Sequence, residues 1–163
     1  MKYTGAEIVI KLLEKQGINT VAGIPGGAIL PIYDALAQSS IKHILTRHEQ
    51  GAGFIAQGMS RVTGDVAVCL ASSGPGASNL VTAIADAKMD SVAMVAITGQ
   101  VASHLLGTDA FQELDTFGVM LPITKHTWLI RSTEELLEVI PAAFRLASEG
   151  RPGPVCIDIP KDI

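Results

Sequence analysis

TRHEQGAGFIAQ, residues 46–57, follows directly on an apolar run that ends at Leu45. Within and beyond it, apolar residues and glycine recur at three- and four-residue steps, which predicts a helix. Glu49 is therefore expected at a strand-to-helix junction, where open α/β sheets place ligand-contacting groups. A carboxylate there also complements the helix dipole, so position alone leaves two interpretations of Glu49 open, a dipole partner or a chemical group. The recurring residues are Phe54, Ile55, Gly58, Met59 and Val62.

Apolar runs alternate with helical patterns along the rest of the chain. These runs are continuous in hydrophobicity, which is typical of a parallel sheet buried on both faces. The sequence therefore predicts one doubly wound α/β domain, with a mainly parallel sheet of about six strands and helices on both faces. The predicted strands are residues 20–24, 41–45, 66–71, 92–98, 128–130 and 155–159.

Capping patterns mark two of the predicted helix starts. Thr4 is followed three residues later by Glu7, which is the pattern of a capping box before the first helix. Ser132 and Glu135 repeat that spacing ahead of the last helix. We expect both hydroxyl side chains to bond to backbone N–H groups that the helix itself leaves unpaired.

Four loops stand at the carboxyl ends of the predicted strands, where such sheets bind ligands. They are residues 25–28, the segment around Glu49, residues 72–79 ahead of a helix over 80–88, and residues 99–112. The glycine-rich first and third loops allow phosphate binding as one interpretation, although neither has the G-x-G-x-x-G or P-loop pattern. The fourth is either a functional loop or an interface loop. Its polar candidates are Thr108, Asp109, Gln112 and Glu113.

Composition argues against several classes of function. Of 163 residues, 48% are apolar and 17% are charged, and the net charge is −4, so we expect no nucleic-acid partner. Apolar runs are too short for a membrane span, so no membrane association is expected. Cys69 and Cys156 lie within apolar runs and are predicted to be reduced core thiols of a cytoplasmic protein. The high apolar content predicts a homodimer.

Patterns for a metal site or a serine nucleophile are weak. The histidines at 43, 48, 104 and 126 have no partner at ligand spacing, so no metal ligand is predicted. Ser73 precedes Gly-Pro-Gly and does not stand in the G-x-S-x-G pattern of a nucleophile elbow.

Six motifs follow one another in a specific order. Together they resemble the N-terminal pyrimidine-binding domain of acetohydroxyacid synthase (acetolactate synthase) catalytic subunits, over essentially all of residues 1–163. Other thiamine diphosphate enzymes share the glycine loops and RHEQGA in looser form, whereas GTDAFQE narrows the resemblance to the synthase. The motifs are GIPGGA at 23–28, RHEQGA at 47–52, SGPGASN at 73–79, ITGQ at 97–100, GTDAFQE at 107–113, and GRPGP with DIPKD at 150–154 and 158–162.

The resemblance implies the thiamine diphosphate-binding fold and a specific reaction. Pyruvate is decarboxylated, and its two-carbon unit is joined to a second 2-oxo acid. The products are 2-acetolactate or 2-aceto-2-hydroxybutyrate, which lead to branched-chain amino acids, isoleucine and valine among them.

The resemblance also implies catalytic roles for four residues. Glu49 is expected to hydrogen-bond the aminopyrimidine ring nitrogen of the cofactor, while its apolar neighbours Phe54 and Ile55 exclude water. Gly27 lies in a loop with a backbone N–H able to face a developing oxyanion. Gln112 and Phe111 are expected to approach the reacting carbon from the side of a neighbouring subunit.

Further residues are implied in cofactor and substrate binding. The cofactor-site residues, besides Glu49, are Pro25, Gly26, Ala28, Pro75, Gly76 and Asn79. Lys161 and Ala110 are implied in the substrate channel, and Arg151 at an FAD of structural role. Ala102 departs from the resemblance, because the family often has proline after Gly-Gln-Val, next to the substrate channel.

The resemblance finally implies a larger assembly. Two further domains are expected outside residues 1–163, one of which holds the diphosphate and Mg²⁺ through a G-D-G…N motif. The active site is expected between the subunits of a homodimer or tetramer, with a possible small regulatory subunit, and the fragment alone is expected to be inactive. Alternatives are a catabolic acetolactate synthase, a pyruvate oxidase, or an interaction domain without catalysis.

Overall fold

A computed structural model describes residues 2–163 and contains one sheet of six strands. All neighbouring strands are parallel, in the order β2-β1-β3-β4-β6-β5. This confirms the predicted parallel sheet. The strands are β1 (Thr20–Gly23), β2 (Lys42–Leu45), β3 (Ala67–Ala71), β4 (Met94–Gln100), β5 (Thr127–Leu129) and β6 (Pro154–Pro160).

Helices cover both faces of this sheet, which confirms the doubly wound class. Seven of them are α1 (Gly5–Lys15), α2 (Leu30–Ala37), α3 (Glu49–Thr63), α4 (Pro75–Asn79), α5 (Val81–Met89), α6 (Thr116–Met120) and α7 (Glu135–Ser148). One apolar core lies between the sheet and α1, α2 and α7, and a second lies between the sheet and α3 and α5. Short 3₁₀ turns cover Ser103–Leu105 and Leu121–Ile123.

The two predicted capping patterns differ in outcome. The α1 box is complete: the Glu7 N–H donates to Thr4 Oγ1 at 3.2 Å, and the Thr4 N–H donates to Glu7 Oε2 at 2.8 Å. At α7, the Glu135 N–H donates to Ser132 Oγ at 3.4 Å, but the Glu135 carboxylate accepts from the Arg131 N–H. The second box is therefore only half formed.

The prediction for α3 gave the right element and the wrong buried face. The face that packs inward carries small and polar residues: Ala52, Gly53, Ala56, Gln57 and Ser60. Phe54 and Val62, which belong to the predicted apolar stripe, are 40% and 88% exposed. Small residues face inward because α3 approaches α5 closely, so closely that a Cβ at Gly53 would lie 2.5 Å from the Cβ of Ala83.

This close packing makes Gly53 a test of the fold. Gly53→Ala should lower the free energy of unfolding by about 1–3 kcal/mol, because α3 has to move away from α5. Gly58→Ala on the exposed side of the same helix meets no atom within 4 Å and should raise it by about 0.5–1 kcal/mol. Urea-induced unfolding measures both changes, and equal shifts in the two variants would contradict the packing argument.

Two loops contain more regular structure than predicted. The segment 72–79 includes α4, and α5 begins at Val81 just after it. The segment 99–112 contains the end of β4 and a 3₁₀ turn. β2 is an edge strand, so Leu45 is exposed and the strand is less buried than a continuous apolar run suggests.

Both cysteines are free and buried, as predicted. Burial raises the pKa of the Cys69 thiol to about 12 and raises the pKa of Cys156 well above its usual value. Both thiols therefore stay protonated and unreactive at neutral pH. No helix within residues 2–163 is both long and apolar enough to cross a membrane.

Candidate functional site

The strand order reverses between β1 and β3. The chain leaves β1 for β2 on one side of the sheet and returns to place β3 on the other side. The loops after these two strands meet there, and the Ala28 N–H of the first loop donates to Ser72 Oγ of the second at 3.4 Å. A Cβ at Gly26 would lie 2.6 Å from the Ser72 Cβ, so glycine is required for this approach. Doubly wound sheets bind ligands in such a crevice.

Glu49 is the first residue of α3 and stands beside this crevice. His48 caps the helix, since its Nδ1 accepts from the Gln50 N–H at 3.1 Å. The Glu49 Oε2 accepts a hydrogen bond from Asn79 Nδ2 at 2.9 Å. The structure thus brings together two residues that lie thirty positions apart and that sequence analysis assigned to the same site.

The second oxygen of Glu49 faces space left by a glycine. A Cβ at Gly76 would lie 3.6 Å from Glu49 Oε1 and 3.3 Å from the Ser72 Cβ. No hydrogen bond to Oε1 is found within the described part of the chain. One carboxylate oxygen is therefore held in place while the other is free to bond a planar ring nitrogen, so these residues fit an aminopyrimidine.

The surroundings of Glu49 include a buried phenol. The Tyr33 hydroxyl has no hydrogen-bond partner among residues 2–163, and its ring packs edge-on against the His43 ring at 5.0 Å. Burial raises the pKa of Tyr33, and the neighbouring Cys69 and Glu49 raise it further. The phenol therefore remains neutral beside the carboxylate.

A cavity of about 240 Å³ lies next to this crevice. It collects residues from four separate segments, which follow β1, β3, β4 and β6 at the carboxyl ends of these strands. Its lining includes Gly27, Ala28, Ala110, Phe111, Gln112 and Lys161, all of which sequence analysis had selected, together with Ser73, Val101, Ala102 and Leu105. Phe111 is 88% exposed at its rim, and no described residue covers that ring.

The loop that carries Phe111 and Gln112 is held in an unusual backbone conformation. Gln112 has a φ of 59°, in the left-handed region that residues with a side chain seldom adopt. Its carbonyl packs on Gly74, where a Cβ would lie 2.5 Å from the Gln112 O. Strain of this kind is concentrated at functional sites.

Glu113 organises the same loop from its exposed side. Its carboxylate accepts hydrogen bonds from the backbone N–H groups of Gly107, Thr108 and Ala110. These bonds, that from Gly107 above all, lower the pKa of Glu113. Glu113, one of the polar candidates predicted from the sequence, therefore stabilises the conformation of the loop.

Three predicted residues lie away from the cavity or at its margin. Pro25 is exposed in the turn after β1, and Pro75 is exposed at the first position of α4. Arg151 lies at the opposite, amino-terminal edge of the sheet, where its Nε donates to Ser91 Oγ at 2.7 Å and its Nη2 donates to the Met89 carbonyl at 3.0 Å. The structure therefore does not bring Arg151 to Glu49.

Two polar residues that contact the loops around the site were not among the candidates predicted from the sequence. Ser72 joins the crevice loops through its hydroxyl, and Asp158 is buried at the carboxyl end of β6. A charged residue inside the apolar run PVCIDIP was the signal that could have identified Asp158. Among residues 2–163, no three His, Cys, Asp or Glu side chains are grouped so that they could hold a metal ion.

Comparison with known proteins identifies relatives of this arrangement. The sequence model described as "Thiamine pyrophosphate enzyme, N-terminal TPP binding domain" matches residues 3–119. The acetolactate synthase isozyme 1 large subunit of Escherichia coli K12 is 64% identical over 163 residues, covering 99% of this chain and 29% of the relative. The probable acetolactate synthase large subunit of Methanocaldococcus jannaschii is 55% identical over 159 residues, covering 98% and 27%.

A third relative, the acetolactate synthase of Mycobacterium bovis, is 57% identical over 163 residues, covering 99% of this chain and 26% of the relative. The chain therefore spans between a quarter and a third of the length of these relatives.

Proposed function

We propose that this chain, which belongs to the family of thiamine pyrophosphate enzyme N-terminal TPP binding domains, is the pyrimidine-binding domain of an acetolactate synthase. Residues 1–163 would form that single domain of a longer protein. The observation that carries the proposal is the Glu49 carboxylate, which Asn79 holds by one oxygen while the other faces the space beside Gly76. The names of relatives that are 55–64% identical support the choice of synthase.

Glu49 has the chemistry for a proton-holding role at the pyrimidine ring. Its free Oε1 would share a proton with a ring nitrogen, and the bond from Asn79 would keep the carboxylate oriented toward that nitrogen. The small residues of the crevice, Gly26 and Gly76, would let the ring approach the backbone closely. Thiamine diphosphate, when bound, supplies the nucleophilic carbon and the electron sink for decarboxylation of a 2-oxo acid.

The neighbouring cavity suits the reacting 2-oxo acids. Lys161 brings a positive charge to its lining, which attracts carboxylates. Phe111 provides an apolar surface for a methyl or ethyl group, while Gln112 and the Gly27 backbone provide polar groups near the reacting carbon. We propose pyruvate as donor and pyruvate or 2-oxobutyrate as acceptor, in the synthesis of branched-chain amino acids.

The remaining components of the enzyme would come from outside this chain. We propose that the diphosphate and Mg²⁺ bind to a further domain, and that two subunits of a homodimer or tetramer form the active site together. The exposed Phe111 fits a surface that a second subunit covers. The relatives' name "large subunit" supports a small regulatory partner, and the buried free thiols suit the reducing cytoplasm.

FAD binding at Arg151 is a separate element of the proposal. The Arg151 side chain uses Nε and Nη2 for contacts within the chain, and its exposed guanidinium edge has further N–H groups for a phosphate. This site would lie at the edge of the sheet opposite the cavity, consistent with a structural and not a catalytic flavin.

The reading frame and the reaction products together test the proposal. The natural gene is expected to continue past residue 163 into a segment with a G-D-G…N motif; a stop codon there would favour an interaction domain. The full-length protein with thiamine diphosphate, Mg²⁺ and pyruvate is expected to release carbon dioxide and form 2-acetolactate. Oxidation of pyruvate without carbon–carbon bond formation would instead identify an oxidase, and activity without FAD would favour the catabolic synthase.

A further inference from the structure

Asp158 is a buried carboxyl group that the proposed chemistry does not use. It lies near the carboxyl end of β6 and is 1% exposed. Its Oδ1 accepts a hydrogen bond from Thr98 Oγ1 at 2.6 Å, and its Oδ2 accepts one from Gln100 Nε2 at 2.9 Å. Both donors come from β4, the neighbouring strand.

Gln100 also contacts the loop of residues 101–114, which contributes to the lining of the cavity. Its Nε2 also donates to the Leu114 carbonyl at 2.9 Å, and its Oε1 accepts from the Val101 N–H at 2.9 Å. Val101 and Leu114 are the two ends of the loop that carries Phe111 and Gln112. The Gln100 side chain therefore links the start of that loop, which follows it directly in the chain, to the far end of the loop at Leu114.

The backbone of Gln100 reaches a second part of the cavity. Its carbonyl accepts a hydrogen bond from the Lys161 N–H at 3.1 Å. Val101, Phe111, Gln112 and Lys161 all line the same cavity. The Glu49–Asn79 pair shares no hydrogen bond with this network in the described chain, so the two groups are separable by mutation.

Because Asp158 is buried, its carboxyl group depends on the hydrogen bonds that it accepts. Burial raises the pKa of Asp158 to about 7, while the hydrogen bonds from Thr98, Gln100 and Thr116 lower it and the nearby Asp115 raises it. Cys156 is a buried neutral thiol on the same strand. Since a buried carboxyl group without donors is strongly destabilising, the Gln100 amide has one favoured orientation.

We propose that Asp158 and Gln100 are positioning residues, which hold the loop 101–114 and Lys161 in the arrangement that the substrate cavity requires. They act through the residues that line the cavity and do not touch substrate. This inference rests on the proposed function for its kinetic consequences, although its structural consequence can be measured without catalysis. The competing explanation is that the pair only stabilises the fold.

Two substitutions at Asp158 separate these explanations. Asp158→Leu fills a similar volume and leaves the Gln100 amide without its acceptor. Asp158→Asn can accept from Gln100 with its oxygen and donate to the Thr98 hydroxyl, so it should restore the network. In the full-length enzyme, Asp158→Leu should lower kcat/KM for pyruvate about tenfold, whereas Asp158→Asn should stay within about twofold of wild type.

Cofactor affinity and hydrogen exchange provide the readouts that a purely structural role would not produce. In Asp158→Leu, the thiamine diphosphate concentration for half-maximal activity should be unchanged, because Glu49 and Asn79 are intact. Amide hydrogen exchange over residues 101–114 should accelerate in Asp158→Leu and not in Asp158→Asn. Gln100→Met keeps the side-chain length and removes the amide, so it should have the same effects as Asp158→Leu. If Asp158→Leu does not fold, Gln100→Met distinguishes the two explanations in its place.

Several outcomes would overturn the inference. These are wild-type exchange and kcat/KM in both Asp158→Leu and Gln100→Met, an equal loss in Asp158→Asn, or a loss of cofactor affinity that matches the loss of kcat/KM. If the wild-type enzyme forms no acetolactate, the proposed function fails, and the exchange comparison still decides whether the pair holds the loop.

Discussion

Glu49→Gln in the full-length enzyme is expected to lower the rate of 2-acetolactate formation by about two orders of magnitude or more. Glutamine has nearly the same shape, and its oxygen can still accept the hydrogen bond from Asn79 that Glu49 Oε2 accepts at 2.9 Å. It cannot take up the proton that a carboxylate shares with a ring nitrogen. The loss should therefore appear in the rate while the fold is retained, and steady-state assays with saturating pyruvate measure it.

Glu7→Gln is the matched control for this substitution. Glu7 also lies in the first turn of a helix, where it completes the α1 capping box, and α1 packs on the opposite face of the sheet from α3. Both variants lose a charge that complements a helix dipole, worth about 0.3–1 kcal/mol at exposed sites. If Glu49 is only a dipole partner, the two variants will show similar small losses of stability and wild-type rates, and Glu49 leaves the mechanism.

Gly74→Ala is expected to lower kcat by about tenfold to a hundredfold, because small displacements of catalytic groups have effects of that size. The new Cβ would lie 2.5 Å from the Gln112 carbonyl oxygen and 2.9 Å from its carbon. Both are backbone atoms, so the contact cannot be relieved by a side-chain rotation. The Phe111–Gln112 segment has to move, and with it one wall of the 240 Å³ cavity.

Strain at a positive φ must be separated from this displacement. Gly74 has a φ of 56°, whereas Gly64, which ends α3, has a φ of 78° and open space where a Cβ would stand, with no atom within 4 Å. Gly64→Ala therefore carries the backbone strain without the contact. It should lose stability and keep its kcat, measured by unfolding and by initial rates; a wild-type kcat in Gly74→Ala would show that the position of Gln112 is unimportant.

Local signals in the sequence predicted much of this fold. The Thr4–Glu7 capping box was predictable because all its atoms lie within one turn of the chain. The parallel sheet was predictable because buried strands are continuously apolar. By contrast, the buried face of α3 was not, since Phe54 and Val62 look like core residues until the close contact of Gly53 with Ala83 is known.

Some residues of the candidate site and its surroundings were also predictable from the sequence, and others were not. Loops at the carboxyl ends of parallel strands must lie at one edge of the sheet, so the sequence could bring Gly27, Gln112 and Lys161 to a common region. It could not identify the role of Asp158, whose partners Thr98 and Gln100 are defined only by the pairing of β4 with β6. Pairing between distant strands leaves no periodic trace in a single sequence.

The position of β6 in the sheet also has a consequence for synthesis on the ribosome. Residues 20–100 supply four strands that are neighbours in the finished sheet, so they can pair as they emerge. In the sheet formed by residues 2–163, β5 pairs only with β6, which is made about twenty-five residues later. The nascent chain therefore leaves Trp128 and its strand unpaired until Pro154–Pro160 arrives, and only then can Asp158 reach Thr98 and Gln100 on β4.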